Sequence, residues 1–509
     1  MGTKQLITLV IACLLVTGCT REVVVSPGEK TEEKVPVSLR ILFDSSVTAR
    51  DVWEYEKFFP GITDEERTVS SILLVVFKNE VLEQYSYFDE NNFEQDPEDF
   101  SISLEDKEGE DLLELEPGPH YFYAILNLPD EDKDRLVADL SGKEGEMSRS
   151  SFERIVVEKS LDELVGDGEH FIMTNSIPPS LRGIYSKEQI ENNDELSNQV
   201  HISVGRAVGK ISFAYVASEI QTGELHGKLR DIRYIIAHNP PSMYLMPVIE
   251  DNILLTPHYT DKSVAGTFTP SPKDPNIIER EDWLVATTPA RVNAGDELHY
   301  GYCVENNNRS PLRSTSTMVL IKAKFEPAVW LNPDGTPGTP AIDDTFYRIG
   351  CYNTQGVLYA YEQGYYNAEP SDEIIKQYEN SGNAVSEYKV AKYPNGITYY
   401  GFWPKQSDQY MVKRNNYYKI AITHVHGAGV PDPGDVVDPD VDPEDPATYG
   451  RLSVYAVTWI EENVEINLGE PDAEDNDSIN VGGTNPDIKD WEDEEQEKEL
   501  NEGEKNTFN

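Results

Sequence analysis

The chain has 509 residues, 38% of them hydrophobic and 27% charged, which is enough for two or three domains with substantial cores. Its formal net charge of −49, with no compensating basic cluster, excludes nucleic acid as a partner because a phosphate backbone would be repelled. The 28 tyrosines and 16 phenylalanines favour strands over helices.

The first predicted element is an export signal. Lys4 precedes an apolar run from Leu6 to Val16 that is too short to remain in a bilayer as a spanning helix. The run ends in Val16-Thr-Gly-Cys19, which resembles a bacterial lipobox, where the peptidase cuts before the cysteine and its thiol takes the lipid. We expect residues 1–18 to be a lipoprotein signal peptide and Cys19 to anchor the chain to membrane lipid. An ordinary signal peptide with a chance cysteine is the alternative.

After a polar tether, residues 20–34, the first predicted strand covers Val35 to Asp44. Apolar residues occupy every second position, which is the pattern of a strand that buries one face. The residues predicted to face the core are Val37, Leu39, Ile41 and Phe43. A polar segment that ends in Arg50 comes after this strand.

Further strands are predicted at short intervals with turn residues between them, which indicates a β-sandwich or barrel. In the first half they are residues 69–77, 81–87, 120–127, 171–175, 200–216 and 232–236, and in the second half 297–304, 317–325, 345–349, 357–361, 399–403, 417–425, 452–460 and 464–468. Helices are predicted at 150–165 and 372–380, and a polar, proline-containing break at 250–276 marks a domain boundary.

Two acidic segments are predicted to be solvated. Residues 431–446 contain repeated prolines and only negative charges, and are interpreted as an extended loop. Residues 469–509 are acidic and poor in apolar residues, so we expect a disordered tail.

Candidate chemistry is sparse. His424 and His426 share one strand face without a third ligand nearby, and the aspartates of 431–446 lack the glycine and glutamate of an EF-hand loop, so we expect no metal and no cofactor. Arg206 and Lys210 are interpreted as solvent-facing cations on a strand. No nucleophile-elbow, zinc-helix or phosphate-loop motif occurs, which favours a protein without enzymatic activity. Cys13 belongs to the predicted signal peptide, and the two cysteines that follow Cys19, Cys303 and Cys351, are left open as a disulfide or two thiols.

Several segments together resemble a known family. They are Ile72–Phe77, Phe171-Ile-Met-Thr-Asn175, Arg206-Ala-Val-Gly-Lys-Ile211, Tyr302-Cys-Val-Glu-Asn306 and Ala323-Lys-Phe-Glu-Pro327. The most specific pair is Tyr393-Pro-Asn-Gly-Ile-Thr-Tyr-Tyr400 followed by Val412-Lys-Arg-Asn-Asn-Tyr-Tyr-Lys-Ile420. In order and spacing, with the lipobox and opening strand, they resemble the fimbrillins of Bacteroidales, the lipoprotein-derived type V pilins, and especially the short-fimbria major subunits.

The resemblance implies an all-β fold of two transthyretin-like Greek-key β-sandwich domains in tandem with few short helices. We place these domains at 51–250 and 265–468, after a lipidated propeptide at 19–50 that includes the removable first strand. It also implies that an arginine-specific protease removes this strand at the outer membrane and cell surface. Arg50 is the best candidate for the cut and Arg67 the runner-up.

The opened groove would then accept a strand from a neighbouring subunit, since unpaired strand edges and exposed apolar sockets are costly. The donor is expected among the last strands, and the candidate core-facing residues are Val454, Ala456, Val464, Ile466 and Leu468. The expected partners are copies of this chain and other fimbrial subunits.

The prediction is therefore a structural subunit of an adhesive surface fimbria. A fimbrial anchor or accessory subunit is one alternative, and the acidic tail leaves room for a tip role. The other is a monomeric surface lipoprotein that binds glycans through exposed aromatic rings such as Trp330, Trp403, Tyr365 and Tyr366.

Overall fold

The computed structural model describes residues 33–43, 60–61, 63–96, 101–104, 113–158, 160–166, 170–176, 179, 181–193, 196–216, 227–251, 253–260, 267–352, 358–360, 364–379, 387–406, 409–424, 427–438, 440, 443, 455–458 and 464–467. Cys19, Arg50, Val454 and Leu468 lie outside these residues, as do the predicted signal peptide and tail.

The described chain consists mostly of strands. Those of the first half are β1 (Val35–Phe43), β2 (Ser71–Lys78), β3 (Val81–Asp89), β4 (Glu94–Gln95), β5 (Ile102–Ser103), β6 (Leu113–Leu115), β7 (Gly118–Leu126), β8 (Val156–Val157), β9 (Met173–Asn175), β10 (Arg182–Ile184), β11 (Gln199–Arg206), β12 (Val208–Tyr215), β13 (Gly227–Ala237), β14 (Met243–Tyr244), β15 (Val248–Glu250) and β16 (Ile253–Leu255).

Those of the second half are β17 (Leu284–Val285), β18 (Gly301–Val304), β19 (Asn306–Asn307), β20 (Met318–Pro327), β21 (Trp330–Leu331), β22 (Phe346–Tyr352), β23 (Leu358–Ala360), β24 (Tyr365–Tyr366), β25 (Glu387–Tyr393), β26 (Ile397–Phe402), β27 (Lys405–Gln406), β28 (Gln409–Val412), β29 (Asn416–His424), β30 (Tyr455–Thr458) and β31 (Val464–Asn467).

Helices are few and short. The α-helices are α1 (Asp130–Leu140), α2 (Arg149–Glu153), α3 (Leu161–Val165), α4 (Lys187–Asn192), α5 (Pro289–Ala294) and α6 (Asp372–Glu379), and the 3₁₀ turns are Glu65–Arg67, Ile277–Glu279, Pro394–Gly396 and Pro433–Val437. The predicted all-β class is confirmed, and α6 confirms the helix expected at 372–380. The division into two transthyretin-like Greek-key sandwiches stays a prediction.

The N-terminal strands form one large sheet in the order β3-β2-β7-β9-β11-β1-β5-β4, with β10 beside β7 and β6 beside β1. The central strand β2 is buried at every residue except its last, which explains its continuous apolar sequence because both of its faces are covered. Antiparallel neighbours flank it on both sides. The pair of β1 with β11 is parallel.

The later strands form three larger sheets. Their orders are β18-β12-β29-β30 with β31 beside β29, β17-β13-β20-β26, and β21-β24-β22-β23 with β25 beside β22. The Pro394–Gly396 turn joins β25 in one sheet to β26 in another, and Asn395 and Gly396 both have positive φ there. Asparagine and glycine are the residues that tolerate this backbone.

The two groups of strands share buried contacts. Val304, Tyr417 and Ala421, from β18 and β29, belong to the same apolar cluster as the strands of the N-terminal sheet. The chain passes from one sheet to another at Ala207. The strand before it, β11, pairs with β1 and β9, whereas the strand after it, β12, pairs with β18 and β29. The predicted domain limits at 250 and 265 do not coincide with this change, because β12 and β13 precede residue 250. Domains with those limits stay a prediction.

Two sequence expectations differ from the fold. The helix expected over 150–165 is two short helices, α2 and α3, separated by β8. Each helix begins at its own capping serine, Ser148 or Ser160. The apolar residues of 150–165 therefore do not lie on one continuous helix. The Pro/Asp segment 431–446 is not wholly a solvated loop either, because its Pro433–Val437 turn buries Pro433, Val436 and Val437.

None of the helices in the described part of the chain has the length and apolar character needed to cross a bilayer.

Candidate functional site

The strand β1 occupies the interior of the N-terminal sheet. Val37, Leu39 and Ile41 are at most 1% exposed, and Phe43 is also buried. One edge pairs in parallel with β11, from Ser38 opposite Gln199 to Phe43 opposite Val204. The other edge pairs with β5 and β6. Taking β1 out would therefore expose apolar sockets and unpaired backbone groups of its neighbours.

The polar contacts of β1 come from an outward side chain and from its backbone. Arg40 donates from Nη2 to Ser101 Oγ at 2.7 Å, and the amide of Ser38 donates to the carbonyl of Asn198 at 2.9 Å. The buried side chains of β1 are all apolar. The strand is thus held by its backbone ladder and an alternating apolar face, which another strand of the same pattern could supply.

Residues 44–59, which contain Arg50, lie outside the described residues. From Pro60 onward the chain is fixed by hydrogen bonds from the later sheets. Tyr417 on β29 donates its hydroxyl to the carbonyl of Pro60 at 2.9 Å. Lys210 on β12 donates to the carbonyl of Gly61 at 3.0 Å. Pro60 and Gly61 are therefore bound to the sheet of β12, β18 and β29.

A buried ionic cluster lies at this point, formed by Glu66, Arg206, Lys210 and Tyr302 and called here the Glu66 cluster. Lys210 Nζ lies 2.6 Å from Glu66 Oε1, and the two side chains are 0% and 1% exposed. Tyr302 donates its hydroxyl to the same oxygen at 2.8 Å, and Arg206 Nε donates to the Glu66 carbonyl at 2.8 Å. The interpretation of Arg206 and Lys210 as solvent-facing cations is wrong, because both are buried.

Burial sets the electrostatics of this cluster. It lowers the pKa of Lys210, although Glu66 acts in the opposite direction by favouring the charged amine. Burial and the nearby Glu66 carboxylate raise the pKa of Tyr302 far above its ordinary value. The amine also lies 3.9 Å from the centroid of the Tyr300 ring. Lysine is enclosed by a carboxylate, a carbonyl and an aromatic face, which compensates the cost of removing its charge from water.

Arg67, the alternative cleavage residue, directly follows Glu66. It ends the Glu65–Arg67 turn, its amide donates to the Asp64 carbonyl at 3.0 Å, and its carbonyl accepts from Gln95 Nε2 at 2.8 Å. The backbone at Arg67 is therefore fixed on both sides.

The candidate donor strands lie along β29. Ala456 on β30 is opposite Tyr418 in an antiparallel pair. Val464 and Ile466 on β31 are opposite Ile420 and Ile422 in a parallel pair. The two strands thus succeed one another along β29, and β12 pairs with β29 over residues 417–422.

Arg414, in the motif at residues 412–420, links the segment before β29 to earlier strands. Arg414 donates from Nε and Nη2 to the Glu305 carboxylate, both at 3.0 Å, and both side chains are buried. The same guanidinium donates to the carbonyls of Tyr244 and Leu245, at 2.6 and 2.8 Å. This bidentate pair fixes the β14 region against β29.

Glycines at 205 and 209 permit this close approach. A Cβ at Gly205 would lie 2.4 Å from Asn415 Cγ, and one at Gly209 would lie 2.9 Å from Cys303 Sγ. Asn415 Oδ1 accepts from the Arg206 amide at 3.1 Å. Cys303 itself is a free, buried thiol, and burial raises its pKa to about 12. The Cys351 side chain lies outside the described part of the structure.

The aromatic residues that the glycan-binding alternative requires are not exposed. Trp330, Trp403, Tyr365 and Tyr366 are all buried. The glycan-binding alternative therefore lacks the exposed aromatic surface that it requires. Within the described ranges, no three His, Cys, Asp or Glu side chains are arranged to hold a metal ion; His426 lies outside those ranges.

The fold and this site define an all-β protein. Its first strand, β1, lies inside a sheet, Pro60 and Gly61 are bound to later strands, and β30 and β31 both pair with β29. Residues 391–465 match the family described as "Major fimbrial subunit protein type IV, Fimbrillin, C-terminal", which confirms the resemblance to fimbrillins. A search of curated proteins gives no match.

Solved structures similar to this chain have low identity and low TM-scores. A fimbrilin from Porphyromonas gingivalis W83 is 13% identical over 88% of this chain and 98% of its own, with a TM-score of 0.36. A putative cell adhesion protein from Parabacteroides distasonis ATCC 8503 is 11% identical over 85% and 100%, with a TM-score of 0.40. The tip fimbrial protein Mfa3 from Porphyromonas gingivalis is 11% identical over 76% and 94%, with a TM-score of 0.31.

Proposed function

We propose that this chain is a non-enzymatic structural subunit of a surface fimbria that polymerises by exchange of its first strand. The observation that carries the proposal is the environment of β1. It is an internal strand with both edges paired, and its buried side chains are all apolar. Another strand with the same alternation could therefore take its place. A subunit folded around such a strand is closed to a partner until the strand is removed.

We place the maturation cut after Arg50 and not after Arg67. An arginine-specific protease needs an accessible, extended substrate chain. Arg67 ends a hydrogen-bonded turn beside the buried Glu66, so a cut there would require local unfolding of the Glu66 cluster. A cut after Arg50 leaves Pro60 to Glu66 with the mature chain and takes β1 away.

Before this cut, the precursor is held at the outer membrane by lipid on Cys19, and β1 leaves with that lipid. The donor in our proposal is β30 or β31, whose residues Ala456, Val464 and Ile466 lie beside β29. Val454 and Leu468 belong to the same sequence pattern. Partners are further copies of the chain and other fimbrial subunits.

The test is limited digestion of purified precursor with an arginine-specific protease, followed by N-terminal sequencing and an unboiled gel. We expect a new N-terminus at Asp51 and a ladder of polymers. Arg50→Ala should abolish both, and the matched variant Arg67→Ala should change neither. A ladder that depends on Arg67, or a cleaved chain that stays monomeric, contradicts the proposal.

Deletion of residues 452–468 tests the donor strands separately from the cleavage site. We expect this variant to fold, to be cleaved at the same place and to remain monomeric. Ladders of normal length from the deletion would exclude both candidate donor strands.

A further inference from the structure

The chain that leaves β29 toward the candidate donor strands is not free at its start. Residues 427–437, called here the anchor segment, precede the last two strands and are bound to the sheets, in part by side chains from the fimbrillin signature. Under the proposed strand exchange, the anchor segment lies at the start of the arm that carries the donor.

Three side chains hold the first part of the anchor segment by its carbonyl groups. Tyr400 donates its hydroxyl to Gly427 and Tyr393 donates to Gly429, each at 2.7 Å. Arg348 Nη1 donates to the carbonyl between them, that of Ala428, at 2.6 Å. Burial raises the pKa of Tyr393 to about 12, so its hydroxyl keeps its proton and remains a donor.

The backbone of the anchor segment also pairs with β26. Val430 and Tyr399 exchange two amide-to-carbonyl bonds at 2.8 and 2.9 Å. The contact leaves no room for a side chain at Gly429, where a Cβ would lie 2.1 Å from the Tyr399 carbonyl oxygen. Glycine is required here by close approach of two backbones.

The second part of the anchor segment is held by apolar packing. Val436 and Val437, in the Pro433–Val437 turn, are 3% and 1% exposed and belong to a cluster with Trp403. Val436 packs against Gly401 on β26, where a Cβ would lie 2.1 Å from Val436 Cγ1. Beyond the turn, Ser314 donates its amide to Asp440 Oδ1 at 2.9 Å.

We propose, on the basis of the strand exchange, that the anchor segment is a fixed base from which the donor arm extends, and that Tyr393 and Tyr400 are positioning residues for it. During exchange the base stays on its own subunit, and only residues after Asp440 move to the neighbour. Tension along a fimbria then reaches the subunit through the base, where backbone bonds, tyrosine hydroxyls and buried valines resist it together. Residues 431–437 therefore supply attachment, through buried Pro433, Val436 and Val437, and not reach.

Hydrogen exchange on the soluble, full-length precursor tests the base without requiring polymers. In the double variant Tyr393→Phe/Tyr400→Phe, we expect the Val430 amide to exchange roughly 30-fold faster, since two net hydrogen bonds are lost from a locally opening unit. The control is Tyr234→Phe, because buried Tyr234 also donates to a backbone carbonyl, that of His299, outside the segment. A Val430 amide no faster in the double variant than in this control overturns the proposal.

A second variant changes the C-terminal end of the anchor segment and removes no hydrogen bond. Val436→Ala should accelerate the Val437 amide about tenfold while the Ile41 amide keeps its native rate. Equal rates for Val437 in the variant and the native chain overturn the fixed base.

The same exchange measurement on matured polymers compares the base with the arm. The fixed base predicts that residues 427–437 keep the protection they have in the precursor, whereas residues 455–467 change theirs. Altered protection of 427–437 on polymerisation overturns the proposal. If no polymer forms, the proposed strand exchange fails while the precursor measurements still decide whether the base is fixed.

Discussion

β1 is a strand inside the N-terminal sheet, whereas the anchor segment is a loop bound to β26 and nearby side chains. The side-chain contacts that hold the two are of different kinds. The buried side of β1 consists of Val35, Val37, Leu39, Ile41 and Phe43, whose apolar side chains make no directional bond. The anchor segment is held by tyrosine hydroxyls and a guanidinium at fixed positions. Non-directional contacts can be made again by another strand with the same alternation, whereas the directional set requires its own partners.

Pro60, Gly61 and Glu66 resemble the anchor segment in the way they are held. Glu66 is bound by a lysine, an arginine and a tyrosine from later strands. The first described residues that follow β1 in the sequence are thus specifically bound to later strands. Under the proposed strand exchange, this difference would let β1 leave while the rest of the subunit keeps its structure.

The largest expected effect is at the Glu66 cluster. Lys210→Met leaves the Glu66 carboxylate buried without its cation, and we expect a loss of about 4 kcal/mol in the free energy of unfolding. Urea denaturation of the precursor measures it. The control is Lys78→Met, which breaks a partly exposed pair with Glu116 and should cost under about 1 kcal/mol. Equal losses in the two variants would show that the cluster is not specifically bound.

The next effect concerns β1. Ile41→Ala should cost about 3 kcal/mol in the precursor because a fully buried side chain is truncated. Leu42→Ala, one position along and on the more exposed face, should cost under about 1 kcal/mol. After maturation the Ile41 variant should match the native polymer in stability, since β1 has been removed. A persistent loss in the polymer argues against removal.

A smaller effect is expected where the strand groups meet. Gly205→Ala places a methyl group about where Asn415 lies, so we expect a loss of about 2 kcal/mol from overpacking. Gly183→Ala is the matched control, because its nearest neighbour would be 4.0 Å away. Thermal unfolding of both variants measures the difference, and equal melting temperatures would contradict the close approach at Gly205.

The smallest effect is a pH dependence in the anchor segment. Burial, reinforced by Asp432 and Asp438, raises the pKa of Asp435 to about 6, while Lys273 acts against the rise. The folded chain then holds this proton more tightly than the unfolded chain, whose carboxyl titrates near pH ~4, so stability falls as pH rises from about 4 to about 6. Because the side chain is partly exposed, we expect under about 1 kcal/mol.

Urea denaturation at pH 5 and pH 7 measures this dependence. Asp435→Asn should be relatively more stable at pH 7 than at pH 5 when each value is compared with the native chain at the same pH. A difference that does not change with pH would contradict the raised pKa.

Much of the fold can be predicted from local sequence. The alternation in β1 and the amphipathic period of α6 are enough to predict both elements. The Glu66 cluster is not visible in this way, because Lys210 lies 144 positions from Glu66. A signal is nevertheless present, since two cations within an otherwise apolar run of strand residues need buried partners.

The anchor segment escapes sequence-based prediction for a different reason. Its composition is that of a solvated loop, and its three valines, Val430, Val436 and Val437, indicate contact with a core. Tyr393 and Tyr400, which donate to its backbone carbonyls, belong to the motif at residues 393–400. Sequence alone identifies this motif but does not show what its tyrosine hydroxyls contact. Carbonyl groups of a loop have no sequence signature, so these contacts could not be predicted.

Competition for the groove with a peptide of residues 35–43 tests strand exchange most directly. Precursor is cleaved with an arginine-specific protease in the presence of this peptide, and polymers are detected on unboiled gels. Strand exchange predicts that the peptide suppresses ladders, and that a peptide with Leu39→Asp and Ile41→Asp does not. Ladders that form equally with both peptides would show that β1 does not occupy the place where subunits join.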